Sequence, residues 1–319
     1  MRIVSLFPAA TEIVCALELE DQLVGVTHEC DHPPTVRHLP KVTGSLIPAT
    51  ASSADIDRFV RERPETQQSL YTLDLATLQE LQPDVIITQA LCDVCAVAEA
   101  EVHAAACALP NAARVVNLAP STVWEVFDCV RHVAHVAGVP ERGDRVVHSL
   151  TRRVDIVMSR SLDVRRRPRV AFLEWLDPPF SCGHWTPELV DLAGGEEVLA
   201  SERAPSRALS WGEFVASQPE VIVIACCGFD VERTVTDLHL LDVVAGWHDM
   251  PAVRDARVYV IDGAQYFSRP GPRLVDSLEI LANALHPDLH PLPNALPRAL
   301  EISELLTVRS GREIPLHAS

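Results

Sequence analysis

The chain has 319 residues, 48% of them hydrophobic and 22% charged, so we expect it to fold rather than to remain disordered. Its length exceeds that of one ordinary domain and suits two α/β domains. The formal net charge is −17 and Lys41 is the only lysine. This balance argues against nucleic acid as a partner, because a phosphate track requires clustered positive charge.

Apolar runs and cysteines indicate the compartment. No apolar run approaches the roughly 18 residues needed to cross a bilayer, so we predict no membrane span. The first apolar stretch, residues 13–19, is too short for a signal peptide, and we therefore expect a cytoplasmic protein. The number of cysteines, nine, is odd, and the chain is longer than a typical disulfide-stabilised domain. Both features favour free thiols over a disulfide framework.

Short apolar runs alternate with helical patterns in the first half of the chain. The predicted elements are a strand at 3–6, a helix at 11–19, a strand at 23–27, a helix ending near Leu81, and strands at 85–88 and 115–118. This spacing favours βαβ units and a mostly parallel sheet.

Two long helices follow. Residues 122–137 place apolar side chains on one face at helical spacing, and the pair Thr122 and Glu125 is typical of a capping box. Gly138-Val139-Pro140 ends this helix. A second helix, residues 141–162, leads into a strand at 170–173.

The second half repeats the alternation. A helix at 187–193 ends at Gly194-Gly195, strands follow at 221–225 and 258–261, and an amphipathic helix covers 272–285. Prolines then form a stiff linker to a tail with a weak helical pattern around 300–306.

These elements predict an α/β fold of two Rossmann-like lobes with parallel sheets, joined by a long backbone helix. The predicted divisions are a first lobe at 1–138, the linking helix at 139–165, a second lobe at 166–290 and a Pro-rich linker and tail at 291–319. In open parallel sheets, ligands lie beyond the carboxyl ends of the strands. The loops at those ends are 7–11, 28–34, 89–97, 174–185, 226–230 and 263–272.

These loops and the strands before them carry segments shared with a known family. The segments are Arg2-Ile-Val-Ser-Leu-Phe-Pro-Ala-Ala-Thr-Glu-Ile, Val24-Gly-Val-Thr-His-Glu-Cys-Asp-His-Pro-Pro, Pro83-Asp-Val-Ile-Ile, Pro178-Pro-Phe-Ser-Cys-Gly-His-Trp, Leu192-Ala-Gly-Gly-Glu and Tyr266-Phe-Ser-Arg-Pro-Gly-Pro-Arg-Leu. Over residues 1 to about 290, and in this order, the chain resembles the vitamin B12 (cobalamin)-binding proteins. These are helical-backbone metal-chelate receptors with the class III substrate-binding-protein fold. The chain looks like one of their leaderless, cysteine-containing relatives.

The resemblance implies that a flat metal chelate, cobalamin or a related corrinoid, is held in a cleft between the two lobes. Aromatic and apolar side chains would supply most of the buried area, and peripheral amides would meet backbone groups. The matching positions are Phe7, Pro8, Ala9, His28, Glu29, Cys30, Trp175, Phe180, Trp185, Tyr266 and Phe267.

Further candidates come from their own chemistry. Glu174 ends a predicted strand and could accept a hydrogen bond from a ligand amide or act as an acid or base. His28 and His184 could each ligate the cobalt of a corrinoid or could be structural, hydrogen-bonded histidines. Phe229 follows the strand at 221–225 and completes the predicted ligand-binding set.

Three departures from the family pattern stand out. No leader is visible, so an ABC permease is expected as a partner only if a leader has been removed. About 20 extra residues occur between positions 44 and 70. The loops are also rich in thiols and imidazoles.

The thiols suggest a metal. Cys92 and Cys95 form a C-x-x-C just beyond a predicted strand, which by itself fits a zinc half-site, a redox dithiol or a chance pair. Cys30 and Cys227 lie on two other loops of the same kind. Four thiolates would suit tetrahedral Zn²⁺ or an iron–sulfur cluster, whereas the alternative is that these are small residues packing the loop ends.

Two functions therefore stay open. The first is a soluble binding protein for cobalamin or a related corrinoid or metal chelate. The second is a thiolate-ligated zinc or iron–sulfur metalloprotein on the same scaffold, with or without enzymatic activity. We predict no catalytic residues, since no Ser-His-Asp arrangement, nucleophile elbow, P-loop or G-x-G-x-x-G fingerprint is present.

Overall fold

The computed structural model describes residues 1–48, 51–62, 70–89 and 99–309. The chain divides into two compact units. Unit 1 comprises Met1–Arg152 and Arg269–Pro272, and unit 2 comprises Arg153–Ser268 and Arg273–Ser319. Each unit is built on a sheet of mainly parallel strands with helices in the connections, which confirms the predicted α/β fold class.

Unit 1 contains a four-stranded parallel sheet in the order β2-β1-β5-β6. Its strands are β1 (Ile3–Ser5), β2 (Leu23–Gly25), β5 (Val85–Gln89) and β6 (Arg114–Leu118). The two central strands are almost wholly buried and rich in Val and Ile, as expected for parallel strands that are covered on both faces.

The helices of unit 1 are α1 (Pro8–Ala16), α2 (Ser53–Glu62), α3 (Leu75–Leu81), α4 (Glu99–Ala108) and α5 (Val123–Val136). Helix α1 begins three residues earlier than predicted, because Pro8 occupies the first turn, where its missing N–H costs no hydrogen bond. At α5, the Thr122 hydroxyl accepts a hydrogen bond from the Glu125 N–H at 3.1 Å, as the capping prediction required. The Glu125 carboxylate accepts from Ser121 N–H instead of completing the box.

The described part of the extra residues forms a small module between two short strands. Strands β3 (Thr43–Ser45) and β4 (Tyr71–Leu73) pair antiparallel, and α2 lies between them in the chain. The module thus starts immediately after the loop that follows β2 and returns next to its own starting point.

Helix α6 (Pro140–Ser161) is the long helix that the sequence predicted, and the division between the units falls within it. Its Arg153 lies in unit 2, where the guanidinium donates hydrogen bonds to Asp276 at 2.5 Å and to both carboxylate oxygens of Glu279 at 2.6 and 3.0 Å. All three side chains are partly buried, so this cluster attaches the end of α6 to the helix that carries the two acids.

The sheet of unit 2 has the order β12-β11-β10-β7-β8, and β9 pairs with β7. Its strands are β7 (Arg169–Leu176), β8 (Pro179–Ser181), β9 (Glu196–Glu197), β10 (Val221–Ile224), β11 (Val258–Val260) and β12 (Leu300–Glu301). The edge strands β8 and β12 are antiparallel to their neighbours. Strand β12 comes from the tail, where the sequence predicted only weak helix.

The helices of unit 2 are α7 (Thr186–Leu192), α8 (Trp211–Ala216), α9 (Val231–Asp237), α10 (Pro251–Arg254), α11 (Leu274–Leu285) and α12 (Ile302–Arg309). Short 3-10 turns cover Glu20–Gln22 and Pro34–His38 in unit 1, and Leu238–Val243 and Trp247–Asp249 in unit 2. No helix in the described ranges is long and apolar enough to cross a membrane.

The Arg153 cluster yields a stability prediction. Arg153→Met leaves two partly buried carboxylates side by side without their cation, which we expect to cost about 3 kcal/mol of unfolding free energy. The matched control is Arg152→Met, which removes an exposed arginine from the same turn of α6 and should change stability by less than about 0.5 kcal/mol. Urea unfolding followed by circular dichroism measures both, and equal effects of the two substitutions would contradict the assignment.

Candidate functional site

An aromatic cluster lies at the carboxyl ends of β7 and β10 in unit 2. The rings of Trp175 and Phe229 are 4.7 Å apart at 44°, and the Arg233 guanidinium lies 4.3 Å over the Phe229 ring. The Trp175 indole N–H donates to the Asp177 carbonyl at 3.1 Å, which fixes the ring. Trp175 is half-buried, so part of its face stays available for a flat apolar ligand.

Glu174 lies beside this cluster. Its carboxyl oxygen accepts a hydrogen bond from the Gly183 N–H at 3.3 Å. Burial, with a further contribution from nearby Cys227, raises the pKa of Glu174 to about 8. The carboxyl is therefore mostly protonated at neutral pH and can donate a hydrogen bond through its O–H as well as accept one.

Glu197 of β9 is a second carboxyl that is mostly protonated at neutral pH. It accepts hydrogen bonds from Leu199 N–H at 2.8 Å and Phe172 N–H at 3.2 Å. Burial raises the pKa of Glu197 to about 8 even though these hydrogen bonds oppose the shift. Glu197 was not predicted as a site residue, because neither its spacing nor its neighbours form a motif.

Close backbone approaches shape the loops at this edge. A Cβ on Gly183 would lie 2.2 Å from the backbone nitrogen of Ser206, and one on Gly263 would lie 2.2 Å from the carbonyl oxygen of Cys226. No side chain fits at either position. The two glycines therefore allow the segments after β8 and β11 to pack against neighbouring backbone.

Some predicted ligand residues are packing residues within unit 2. The Trp185 indole N–H donates to the Phe267 carbonyl at 2.8 Å, and the Phe267 ring lies 4.8 Å from that of Phe172. Trp185, Tyr266 and Phe267 are each at most 8% exposed. Phe180, on edge strand β8, is half-buried and keeps some accessible surface.

His184 occupies a constrained position. Its φ of +52° lies in the left-handed region, and its backbone bonds to Ala204 and Arg203 hold it there. Burial lowers the pKa of its imidazole, so the ring is neutral near pH 7. Its Nδ1 is buried and has no hydrogen-bond partner among the described residues.

In unit 1, hydroxyl groups organise the loop after β1. Ser5 Oγ donates to the Phe7 carbonyl at 2.9 Å, and Thr11 Oγ1 donates to Ser5 Oγ at 2.9 Å. Thr11 Oγ1 also lies 3.0 Å from Cys30 Sγ. Phe7 and Ala9 are at most 4% exposed and Pro8 is half-buried, so Pro8 has the accessible surface of that predicted trio.

Arg269 was not predicted as a site residue, although it lies in the segment beginning at Tyr266 that the chain shares with the family. It is buried, and its guanidinium pairs with Asp31 at 2.6 Å and with Glu12 at 3.3 Å. Glu12 is on α1 and Asp31 follows β2. The ion pairs therefore connect the Arg269–Pro272 segment to helix α1 and to the loop after β2 within unit 1.

The predicted thiolate site is only partly within the described residues. Cys92 and Cys95 lie outside them. Cys30 is buried in unit 1, and its burial raises the pKa of the thiol, which disfavours the thiolate that a metal requires. Cys227 is exposed and belongs to unit 2. Within the described ranges, no group of three or more His, Cys, Asp or Glu side chains is arranged to hold a metal ion.

One surface cavity of unit 2 is unrelated to this edge. It has a volume of about 260 Å³, and Arg166, Glu220 and Arg257 in its lining precede β7, β10 and β11. Arg166 and Glu220 neutralise each other at 2.5 Å. The cavity thus lies at the amino ends of the strands and is not the candidate site.

A sequence profile of the family described as periplasmic binding protein matches residues 3–264. The chain belongs to the periplasmic binding protein family. The match extends from the first residue of β1 to the loop after β11 and includes every strand of the two parallel-stranded sheets except β12.

Individual members of the family are distant in sequence. The vitamin B12-binding protein of Vibrio cholerae is 24% identical over 286 residues, covering 87% of this chain and 86% of that protein. An uncharacterised ABC transporter substrate-binding lipoprotein of Bacillus subtilis is 24% identical over 296 residues, covering 90% and 80%. A periplasmic heme-binding protein from Pseudomonas aeruginosa has the same fold, with a TM-score of 0.70, 22% identity and coverage of 93% and 97%.

The environments of the thiols predict their reactivity. Cys107 and Cys227 are exposed, so iodoacetamide should label them within minutes in the native protein. Cys30, Cys182 and Cys226 should be labelled only on unfolding, because burial removes access and raises the pKa of each thiol. Mass spectrometry of timed samples measures this. Labelling of Cys30 as fast as Cys227 would contradict the structure, whereas protection of Cys227 that a chelator removes would support the thiolate–metal hypothesis.

The two raised carboxyl pKa values predict how stability depends on pH. In the native protein each of these carboxyls retains its proton up to about pH 8, whereas in the unfolded chain it releases the proton near pH 4.5. The free energy by which each protonated carboxyl favours the folded state is therefore complete below pH 4.5 and is lost as the pH rises to 8. The slope is at most about 1.4 kcal/mol per pH unit for each group.

Glu197→Gln should therefore flatten the decline in stability between pH 5.5 and 7.5. Glu196→Gln, which changes the exposed neighbour, should leave the slope unchanged. Urea midpoints at several pH values provide the measurement. A Glu197→Gln slope equal to that of the unmodified protein would show that this carboxyl ionises normally.

Proposed function

We propose that this protein binds cobalamin or a related corrinoid, with Trp175 of unit 2, which packs on the buried Phe229, contacting a face of the flat ring. The geometry of the Trp175–Phe229 cluster is the main support for this proposal. Two aromatic side chains from the ends of adjacent parallel strands lie 4.7 Å apart, and a guanidinium lies over the ring of one of them. Such a surface gains binding energy from buried area and from stacking.

The neighbouring polar groups suit the amide-bearing rim of a corrinoid. A protonated Glu174 can donate to an amide carbonyl or accept from an amide N–H, whereas an ionised carboxylate can only accept. In a site shielded from water, an unpaired charge would oppose the binding of a neutral amide. The raised pKa of Glu174 therefore matches a ligand whose edge carries neutral hydrogen-bonding groups.

The relatives support a metal chelate as the ligand class. The V. cholerae relative is named as a vitamin B12-binding protein, and the P. aeruginosa structure as a heme-binding protein. Corrinoids and hemes are both flat tetrapyrrole-type chelates. A secreted form of the chain would pass its ligand to an ABC permease, the partner that the name of the B. subtilis relative supports.

A thiolate-ligated zinc or iron–sulfur protein is the less favoured alternative. It requires Cys30 as a thiolate, but that thiol is buried among the Thr11 and Thr27 hydroxyls and its pKa is raised by burial. Metal and sulfide analysis of protein purified without oxygen tests this alternative independently of corrinoid binding.

Replacing Trp175, the half-buried ring of the cluster, tests the proposal. Isothermal titration with cyanocobalamin and with cobinamide should show one bound ligand per chain. Trp175→Ala should weaken that binding by roughly 10- to 100-fold, because truncating a central aromatic contact typically costs about 1.5–3 kcal/mol. Trp124→Ala is the matched control, since it removes an indole that is 40% exposed on α5 of unit 1 and should leave the affinity unchanged.

Three outcomes are informative. Micromolar or tighter corrinoid binding that depends on Trp175 supports the proposal. Binding of heme but not of either corrinoid would replace corrinoid by heme as the ligand. No binding of any of the three chelates would overturn the proposed function.

A further inference from the structure

Two imidazoles lie close together at the end of helix α11 in unit 2. His286 is the first residue after the helix, and the backbone N–H of His290 donates to the His286 carbonyl at 3.0 Å, so the two residues are one helical turn apart. Their ring centroids are separated by 6.3 Å. His290 is 2% exposed and His286 is half-buried. The pair is therefore largely removed from water.

Hydrogen bonds determine which ring nitrogen of each histidine carries the proton. His286 Nε2 lies 3.0 Å from the Gly194 carbonyl, which can only accept, so this nitrogen is the donor. The Ser161 hydroxyl donates to the Leu192 carbonyl at 2.8 Å, which leaves its oxygen to accept from His290 Nε2 at 3.3 Å. Both neutral rings thus carry their proton on Nε2 and have their lone pair on Nδ1.

The same bonds fasten the start of a longer segment, residues 286–301, which we call the C-terminal segment. Ser161 is the last residue of α6, and Gly194 follows α7, so the two imidazoles bond to the ends of two other helices of unit 2. The Asn283 side chain adds a third attachment by donating to the His290 carbonyl at 2.8 Å. The C-terminal segment ends in β12, which covers one edge of β11. The histidines therefore anchor the connection that leads to this edge strand.

A second proton on His290 has to go to Nδ1. This atom is buried and has no hydrogen-bond partner among the described residues. Protonation would create a buried cation and a buried N–H without an acceptor, both of which cost free energy. Burial accordingly lowers the pKa of His290, and His286 and Arg160 lower it further. Burial also lowers the pKa of His286, although the hydrogen bond to Gly194 opposes this shift.

The charged groups around the pair also favour neutral rings. Arg160 of α6 acts on His290, whereas Arg257 and Arg167 act on His286 from the residues before β11 and β7. Four carboxylates lie on the neighbouring segments: Asp191, which pairs with Arg167, Glu220, which pairs with Arg166, and the exposed Asp255 and Asp288. No carboxylate of the described ranges accepts a hydrogen bond from either imidazole. A protonated ring would therefore lie among arginines without a direct counter-ion.

We propose that His286 and His290 form a pH-sensitive clamp, which holds the C-terminal segment on unit 2 while both imidazoles are neutral and releases it when they are protonated. In the released segment the imidazoles accept protons near their ordinary pKa of about 6.5. The clamp is therefore fully effective above that pH and weakens as the pH falls through it. Release uncovers the edge of β11, whose backbone groups become available to another strand. The clamp does not depend on the bound chelate.

Two other histidines with lowered pKa values lie in other segments. In unit 1, His28 Nδ1 is 2.8 Å from Thr43 Oγ1, and the Tyr71 ring, whose hydroxyl donates to Glu29, lies 5.4 Å from the imidazole. In unit 2, His184 lies between β8 and α7. Because several groups titrate in the same range, the test must report on the C-terminal segment itself and not on global stability.

Hydrogen–deuterium exchange of the full chain at several pH values, corrected for the intrinsic exchange rate, gives this local readout. Between pH 7.0 and 5.5 the protection of residues 286–301 should fall by roughly 10- to 100-fold, because each histidine contributes up to about tenfold per pH unit. Protection of the central strand β10 should change by less than about threefold, since release of the segment leaves the sheet core folded.

Substitutions assign the effect to the pair. Glutamine keeps an N–H near the position of Nε2 but cannot take up a proton, so the double variant His286→Gln/His290→Gln should lose most of the pH dependence. Each single substitution should remove part of it. The matched control is His248→Gln, which changes an exposed histidine in the Trp247–Asp249 turn of unit 2 and should retain the full pH dependence.

Proton NMR of the imidazole C–H resonances provides a second measurement that requires no substitution in the protein being titrated. Both histidines should titrate below their ordinary pKa of about 6.5. A pKa at or above that value for His290 would overturn the clamp. Unchanged protection of residues 286–301 at pH 5.5, an equal loss in β10, or an undiminished pH dependence in the double variant would overturn it as well. None of these results bears on corrinoid binding, so the clamp and the proposed function are tested separately.

Discussion

The parallel direction of the strands is the constraint on which the rest of this structure depends. All strands of a parallel sheet end at one edge, so the loops that follow them are brought together whatever their distance in the sequence. In unit 2 this places Glu174 and Trp175, which end β7, beside Phe229, which follows β10. In unit 1 it places the hydroxyls after β1 beside Cys30 after β2. The candidate site is thus a direct consequence of sheet topology.

Desolvation then sets the chemistry at these edges. Burial raises the pKa values of Glu174 and Glu197 to about 8 and lowers those of His28 and His184. The carboxyls and imidazoles of these four residues are consequently neutral near pH 7, and the buried guanidinium of Arg269 is compensated by Asp31 and Glu12. An edge with neutral donors and acceptors suits a ligand with a neutral amide rim, in contrast to the −17 formal charge of the whole chain.

The sequence predicted the α/β class, the long helix and most strands, because period-2 and period-3.6 patterns are local properties of the chain. It also placed Phe229 on the loop after β10, whereas Trp175, which was predicted to lie in the loop after residue 173, lies within β7. It did not predict that Trp185 and Phe267 bond to each other, or that Arg269 pairs with Asp31. These contacts join residues 82 and 238 positions apart, and no periodicity reports such pairs. Strand β12 was missed since two residues are too few to show alternation.

The most direct test of the account is hydrogen–deuterium exchange of the full chain with and without cobinamide. If the chelate binds at the Trp175–Phe229 cluster of unit 2, exchange should slow at residues 174–185 and around Phe229. The amino-end residues 166–168 and 254–257 should be unaffected. Protection confined to the amino ends, or to the exposed surface of α5, would contradict the placement of the site.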